Sequence, residues 1–216
     1  MGAQRSALPD LVDDSPALWD EGFGKAARGL LTGGVRCFAA QGFHATTTRD
    51  ITAAAGLSPA ALYVHFSSKE EVLFEITRTG HKSSLDVLTL VPPDTDPATH
   101  LRGLVAAFVS WHARHHVAAR VSQYELGALT SEHYEVIVGL RRRSTSVFHD
   151  ALTHGITAGA FPDADAHRVV RAILSLGVDL VRWYRLDGAD SPEELGEYYA
   201  DLALGMVAAA ASRRAR

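Results

Sequence analysis

The stretch RDITAAAGLSPAALYVHF, Arg49 to Phe66, interrupts an alanine-rich run at Gly56 and restarts it at Ser58-Pro59. Alanine is the strongest helix former, so the break needs a cause. Gly56 supplies one as a C′ residue free to adopt positive φ, while Ser58 offers an N-cap oxygen and Pro59 a preset first-turn φ. Two short helices therefore meet at a sharp corner, with Ile51, Leu57, Leu62 and Phe66 available to pack inside it. That is a helix-turn-helix, whose second member can enter a DNA major groove. Small Ala60 and Ala61 beside Tyr63 and His65 keep the outer face narrow and give it methyl and hydrogen-bonding groups for base edges. Thr47, Thr48, Arg49, Tyr63, Lys69 and the helix N-terminus suit phosphate oxygens. The same residues also fit a tight αα corner with no DNA role, Tyr63 and His65 then being packing groups.

Outward from this corner the chain is all-α. Apolar residues recur at spacings of three and four, and alternating β-branched runs bounded by turns do not occur. A first helix is expected over Phe23 to Gln41, with Leu31, Val35, Phe38 and Ala39 on one face and Gly42 as its stop. Its interior Gly33-Gly34 costs about 1 kcal/mol per glycine relative to alanine, so tertiary packing must hold it. Thr47 with Asp50 forms a capping box for the second helix, and Ser68 with Glu71 another for a fourth that runs toward Leu90. The breaker VPPDTDP, Val91 to Pro97, precedes helices expected near 98–117, 118–129, 132–159, 165–186 and 192–211. The organisation expected is a mobile arm over 1–18, a three-helix DNA-binding domain over 19–68, and a helical ligand-binding and dimerisation domain over 69–216.

The bulk numbers narrow the function classes. A formal charge of −4 and a pI near 6.2 exclude a protein that coats nucleic acid or anionic membrane with its whole surface. Between Trp19 and Lys82, seven Lys/Arg face six Asp/Glu, so the helix-turn-helix region is the less acidic part. The single cysteine, Cys37, has no partner for an intrachain disulfide and suits a reducing cytoplasm. The N-terminus lacks a secretory h-region and no apolar run reaches membrane-spanning length, so no membrane partner is expected. No Gly-x-Ser-x-Gly elbow, His-Glu-x-x-His pair or glycine-rich phosphate loop occurs, so neither an enzyme nor a resident cofactor is expected.

Over Phe38 to Ile76 the chain resembles the N-terminal DNA-binding domain of TetR-family transcriptional repressors. The motifs are Phe-x-x-x-Gly-Phe, Thr-Thr, Asp-Ile-x-x-x-Ala-Gly, Leu-Tyr-x-His-Phe and Ser-Lys-Glu-Glu. The resemblance implies phosphate contacts from Thr47, Thr48, Arg49, Tyr63 and Lys69. It also implies that Ser58, Pro59, Ala60, Ala61, Val64 and His65 face bases or nearby backbone. Pro59, Ala60 and Val64 depart from the basic, polar or aromatic residues of many relatives. Direct hydrogen-bond readout is thus sparse, and specificity leans on Arg49, His65, methyl contacts and DNA shape.

The last two helices carry apolar stripes, Val169, Ile173, Leu176, Leu180 and Tyr184 on one and Leu195, Tyr198 or Tyr199, Leu202 and Met206 on the other, with Gly177 and Gly205 where backbones can approach. The resemblance implies an all-helical homodimer closed by these helices, with Val169, Ile173, Leu176, Leu180, Tyr184, Leu195, Tyr199, Leu202 and Met206 at the interface. A purely intrachain core is the alternative. A two-fold dimer would reach half-sites about 34 Å apart on a palindromic operator. His154 to Val207 also resembles TetR-like repressors of lipid and steroid catabolism that respond to coenzyme A thioesters, through Arg-Trp-Tyr-Arg (Arg182 to Arg185), Gly188 and Leu-Gly-x-x-Tyr (Leu195 to Tyr199).

Candidate ligand-binding residues come from the middle helices, where aromatic or amphipathic groups would line a pocket: Phe108, Trp111, His112, Tyr124 and Phe148, each with core packing as its alternative. Trp111 to His116, WHARHH, places His112, His115 and His116 at i, i+3 and i+4, a spacing that could hold a metal. No carboxylate or cysteine in the same turn completes such a site, and no metal is expected. Arg141 to Arg143 spread round a helix and suit solvent. The function expected is a ligand-responsive transcriptional regulator, a repressor binding a palindromic operator in double-stranded DNA as a homodimer. A small hydrophobic or acyl-CoA-like effector would release it. The alternative is a helical ligand-binding or enzymatic protein with an inert helix-turn-helix.

Overall fold

The computed structural model describes residues 14–20, 22–93 and 95–210. Among these there are only helices and turns: α1 Lys25–Ala45, α2 Thr48–Ala54, α3 Ala61–His65, α4 Lys69–Thr89, α5 Pro97–Arg114, α6 His116–Tyr124, α7 Ser131–Thr157, α8 Ala166–Asp179 and α9 Pro192–Ala210, with short 3₁₀ turns at Ser15–Leu18, Leu126–Ala128 and Leu180–Arg182. The all-α expectation holds. Two compact units divide the chain, one formed by residues up to Gly80 with Val117–Glu135, the other by His81–His116 with residues from Val136 onward. α4 and α7 each run through a division point, because an uninterrupted helix can serve two cores.

The first unit is built on α1. Leu30, Leu31, Val35 and Phe38 are buried, and Gly42 at φ 78° takes the chain out of helical geometry, so the helix proper stops where a glycine permits it. The Gly33-Gly34 pair has a packing reason. A Cβ on Gly33 would sit 2.8 Å from the Ile51 carbonyl oxygen, and one on Gly34 would sit 2.8 Å from Val72 Cγ1. The missing methyls let α2 and α4 lie directly on α1. Burial, with a smaller contribution from Asp50, pushes the Cys37 thiol up to about 11, so it packs as an inert apolar group. Most of the expected arm, residues 1–13, lies outside the described residues. Its end is packed rather than mobile: Ser15 and Leu18 are buried in the 3₁₀ turn, and the Trp19 indole donates to Thr32 Oγ1 at 2.8 Å.

In the second unit α5 is the central element, lying against α8 and along α9. A Cβ on Gly196 would fall 2.7 Å from the Ala106 carbonyl oxygen, and one on Gly177 would fall 2.9 Å from the Phe108 ring. These glycines set the close approach. Asp96 caps α5 by accepting from Ala98 and Thr99 N–H, and Asp165 caps α8 through Arg168 N–H. Ser191 and Glu194 close a reciprocal capping box at the start of α9. Arg102 pairs with Glu197 and Asp201, and Arg114 with Glu193, along the exposed margin between α5 and α9.

Candidate DNA interface and effector core

α2 begins as its residues dictate. Thr47 Oγ1 accepts from Asp50 N–H at 3.2 Å and Asp50 Oδ2 accepts from Thr47 N–H at 2.9 Å, a complete capping box. Gly56, at φ 68°, makes the corner. The restart differs from the expectation: Ser58 to Ala60 form a turn, with Ala61 N–H donating to the Ser58 carbonyl, and α3 begins at Ala61 without a side-chain cap. Four residues, Leu57 to Ala60, connect Gly56 to α3, and Ser58 and Pro59 are spent on the turn. The box at α4 is also offset by one. Ser68 Oγ caps Glu71 N–H, but Glu71 returns to Ser67, whose N–H and hydroxyl both donate to it and hold its carboxyl below the usual range.

The outer surface of the corner is open. Leu62 and Phe66 are buried and Leu57 is half-buried, while Tyr63 is 62% and Val64 77% exposed, with Ser58, Pro59, Ala60 and His65 also exposed. A five-residue helix that buries one leucine and presents two large apolar or aromatic side chains to water has an unsatisfied outer face. Arg49 and Thr47 are exposed and Thr48 half-buried at the entrance to α2. Lys69 is more committed than these. Its ammonium donates to the Phe43 and Thr46 carbonyls at 2.6 and 2.7 Å and lies 4.1 Å from the centroid of the Phe43 ring. It therefore locks the α1–α2 corner, and burial lowers its pKa.

One arrangement has no local signal in the sequence. Glu70, next to Lys69, accepts from Thr130 N–H at 2.9 Å and from His133 Nδ1 at 2.9 Å, and the His133 ring stacks on Phe74 at 3.7 Å and 6°. The first turn of α4 thus holds the α1–α2 corner on one side and the start of α7 on the other. A separation of 63 residues between Glu70 and His133 puts this pairing beyond any spacing rule.

Two segments of the chain match known families in the order these elements occur. Residues 30–76 match the family described as bacterial regulatory proteins, tetR family, and residues 94–207 match the tetracyclin repressor-like C-terminal domain. The chain belongs to the TetR family. The HTH-type transcriptional repressor KstR2 of Mycobacterium tuberculosis is 33% identical over 177 residues, covering 79% of this chain and 86% of that protein. The solved structure of M. tuberculosis KstR2, described as a ketosteroid transcriptional regulator, superposes at TM-score 0.76 with 32% identity over 83% of this chain and 93% of that one. A tetR-family regulatory protein from Rhodococcus RHA1 superposes at TM-score 0.81 with 40% identity, covering 86% and 98%.

The effector candidates of this TetR-family chain separate. Phe108, Trp111, His112 and Phe148 are buried together in the second unit: the rings of Phe108 and His112 lie 4.1 Å apart, Trp111 and His112 4.9 Å, and Phe108 and Phe148 5.5 Å edge to face. Tyr124 does not join them. It is 58% exposed at the end of α6 and belongs to the first unit, whereas the other four lie in the second. His112, His115 and His116 do not share a helical face, since α5 ends at Arg114, His115 is its C-cap and His116 opens α6. No group of three or more metal-ligating side chains is assembled among the described residues.

The residues expected at a dimer interface divide by exposure. Val169, Ile173, Leu180, Tyr184 and Leu195 are buried within their own chain, where α8, its 3₁₀ extension and α9 pack on α5. Leu176 and Leu202 are 44% and 42% exposed, Tyr199 and Met206 are half-buried, and Tyr198 and Trp183, outside the expected set, are 61% and 51% exposed. An amphipathic helix wide enough to have two apolar faces gives one to its own core; periodicity shows the stripe but not which edge is spent inside. Among the described residues no helix is long and apolar enough to cross a membrane.

Proposed function

We propose that this protein is a homodimeric, effector-released transcriptional repressor that reads a palindromic operator. The observation that carries the reading is the exposed face of α3, Tyr63, Val64 and His65, set on a buried Leu62 within a chain whose family is that of DNA-binding regulators. Thr47, Thr48, Arg49 and Tyr63 hold phosphates; Lys69 fixes the corner through two of its three N–H donors and has one left for a phosphate oxygen. Ser58, Pro59, Ala60, Ala61, Val64 and His65 approach the bases or adjoining backbone, so methyl contacts and DNA shape carry much of the specificity. The exposed side of α8 and α9, with Leu176, Tyr198, Leu202 and the half-buried Met206, closes the dimer across a two-fold axis.

The effector enters the second unit among Phe108, Trp111, His112 and Phe148. KstR2 is described as a ketosteroid regulator, and the coenzyme A thioester resemblance of residues 154–207 agrees with a hydrophobic acyl ligand. For release, the effector must bind the DNA-incompetent arrangement more tightly, and a coupling of about 1–3 kcal/mol suffices for 5- to 150-fold relief. The test is selection of bound duplexes from a random pool, then titration of the selected duplex with salt and with acyl-coenzyme A thioesters. A palindromic consensus with affinity falling steeply in salt supports the reading; recovery of no sequence above background overturns it.

A further inference from the structure

Buried polar atoms without partners are rare in folded proteins and ask for a ligand or a water. Two stand on one face of α4 in the second unit: His81 Nε2 and Ser84 Oγ are both shut off from solvent without a hydrogen-bond partner. Three residues apart on a helix, they point the same way. Beside them on α5, His112 donates its Nδ1–H to the Phe108 carbonyl at 2.8 Å, which leaves the lone pair on Nε2. The surroundings are apolar: Phe108 and Trp111 flank the His112 ring, Phe148 meets Phe108 edge to face, and the Trp111 indole N–H is already used on Ser83 Oγ at 3.0 Å. No local interaction explains why a helix should place an imidazole and a hydroxyl there.

We infer that His81, Ser84 and His112 form the polar end of the effector site, and that the effector they select carries an uncharged hydroxyl or carbonyl oxygen on an apolar body rather than a carboxylate. This rests on the effector-responsive reading above. A hydroxyl accepts from Ser84 and donates to an imidazole nitrogen; a ketone or thioester carbonyl accepts from Ser84 and from an imidazole N–H. Burial is the chief reason that His81 resists protonation, ahead of the nearby Arg141 and His112, and burial likewise dominates at His112. A carboxylate placed against these groups would meet the same desolvation, offset in part by the nearby Arg141.

The experiment uses the full chain without DNA, so that it is independent of operator release. Cyclohexanol and cyclohexanone are compared with cyclohexanecarboxylate and methylcyclohexane by equilibrium titration, following Trp fluorescence and the ring ¹⁵N resonances of His81 and His112. The alcohol and ketone should bind more tightly than the other two and move both imidazole resonances. Ser84→Ala and His81→Gln, each checked for a cooperative melt, should weaken the alcohol about five-fold, the worth of one net hydrogen bond. Equal or tighter binding of the carboxylate or the hydrocarbon overturns the inference, as do unmoved imidazole resonances, which would mean that an internal water satisfies these atoms. Binding with the expected ranking but without any effect on a selected operator would leave the inference standing and count against effector-released repression.

Discussion

At Gly33 two opposing effects meet on a single atom. Alanine would raise helix propensity by about 1 kcal/mol, yet its methyl would lie 2.8 Å from the Ile51 carbonyl oxygen and 3.3 Å from Ala54 Cβ. Backbone cannot swing aside as a flexible side chain can, so overpacking wins. Gly33→Ala should lower unfolding free energy by about 1–3 kcal/mol, read as a fall in the urea midpoint with an unchanged slope. An increase in stability would mean that α2 can move off α1 without cost. The DNA-facing counterpart is Tyr63, whose exposed ring packs on nothing that alanine would leave void. Tyr63→Ala should keep the melting temperature within a few degrees and weaken operator affinity about tenfold, in line with about 1.4 kcal/mol for a lost contact; unchanged affinity by gel shift would remove Tyr63 from the interface.

Among the elements, α4 bears the most constraints. Its first turn ties the α1–α2 corner through Lys69 and the start of α7 through Glu70, His133 and Phe74. Glu70 acts as a cap supplied from another helix, taking the Thr130 N–H at the point where α7 begins. Glu70→Leu removes that acceptor and should cost about 1–2 kcal/mol. Hydrogen exchange should show the loss as faster exchange confined to the first turn of α7; uniform acceleration across the chain, or none, would contradict a local cap. The elements also show what spacing can reveal. The Thr47–Asp50 box and the Gly42 and Gly56 stops all act within four residues, so they were legible in the sequence. The offset of the α4 box to Ser67, the late start of α3 and the Glu70–His133 pairing depend on where neighbouring helices hold the chain.

For the molecule as a whole, His81 and His112 link folding to pH. In the unfolded chain each titrates near 6.5, whereas burial holds His81 down to about 3 and His112 to about 4. Between pH 6.5 and 4 the unfolded state therefore binds more protons, and stability must fall as pH drops through that window. His81 faces Arg141 on α7 and His112 on α5, and His112 faces His115, all of which disfavour the charged forms; the Phe108 carbonyl, accepting from His112 Nδ1–H, opposes them but does not outweigh burial. The melting temperature should fall by several degrees from pH 7 to pH 5, and the double variant His81→Phe/His112→Phe should flatten the drop. An equal drop in the variant would assign the acid sensitivity to carboxylates. On the same scale, Leu202→Glu on the exposed side of α9 should convert a dimer to a monomer by sedimentation velocity and abolish cooperative operator binding; a persisting dimer would move the interface elsewhere.

Composition, periodicity and short-range caps by themselves determined that the chain is helical, where most helices begin and end, and that a corner at Gly56 presents a short helix. These are set by backbone conformation and by partners within a turn or two. The tertiary structure alone decided which apolar edge of α8 and α9 is spent inside, that Tyr124 stands apart from Phe108, Trp111, His112 and Phe148, and that His81 and Ser84 are left unpartnered beside them. Those outcomes depend on which surfaces distant segments exclude from water, and residues far apart along the chain carry no local mark of one another.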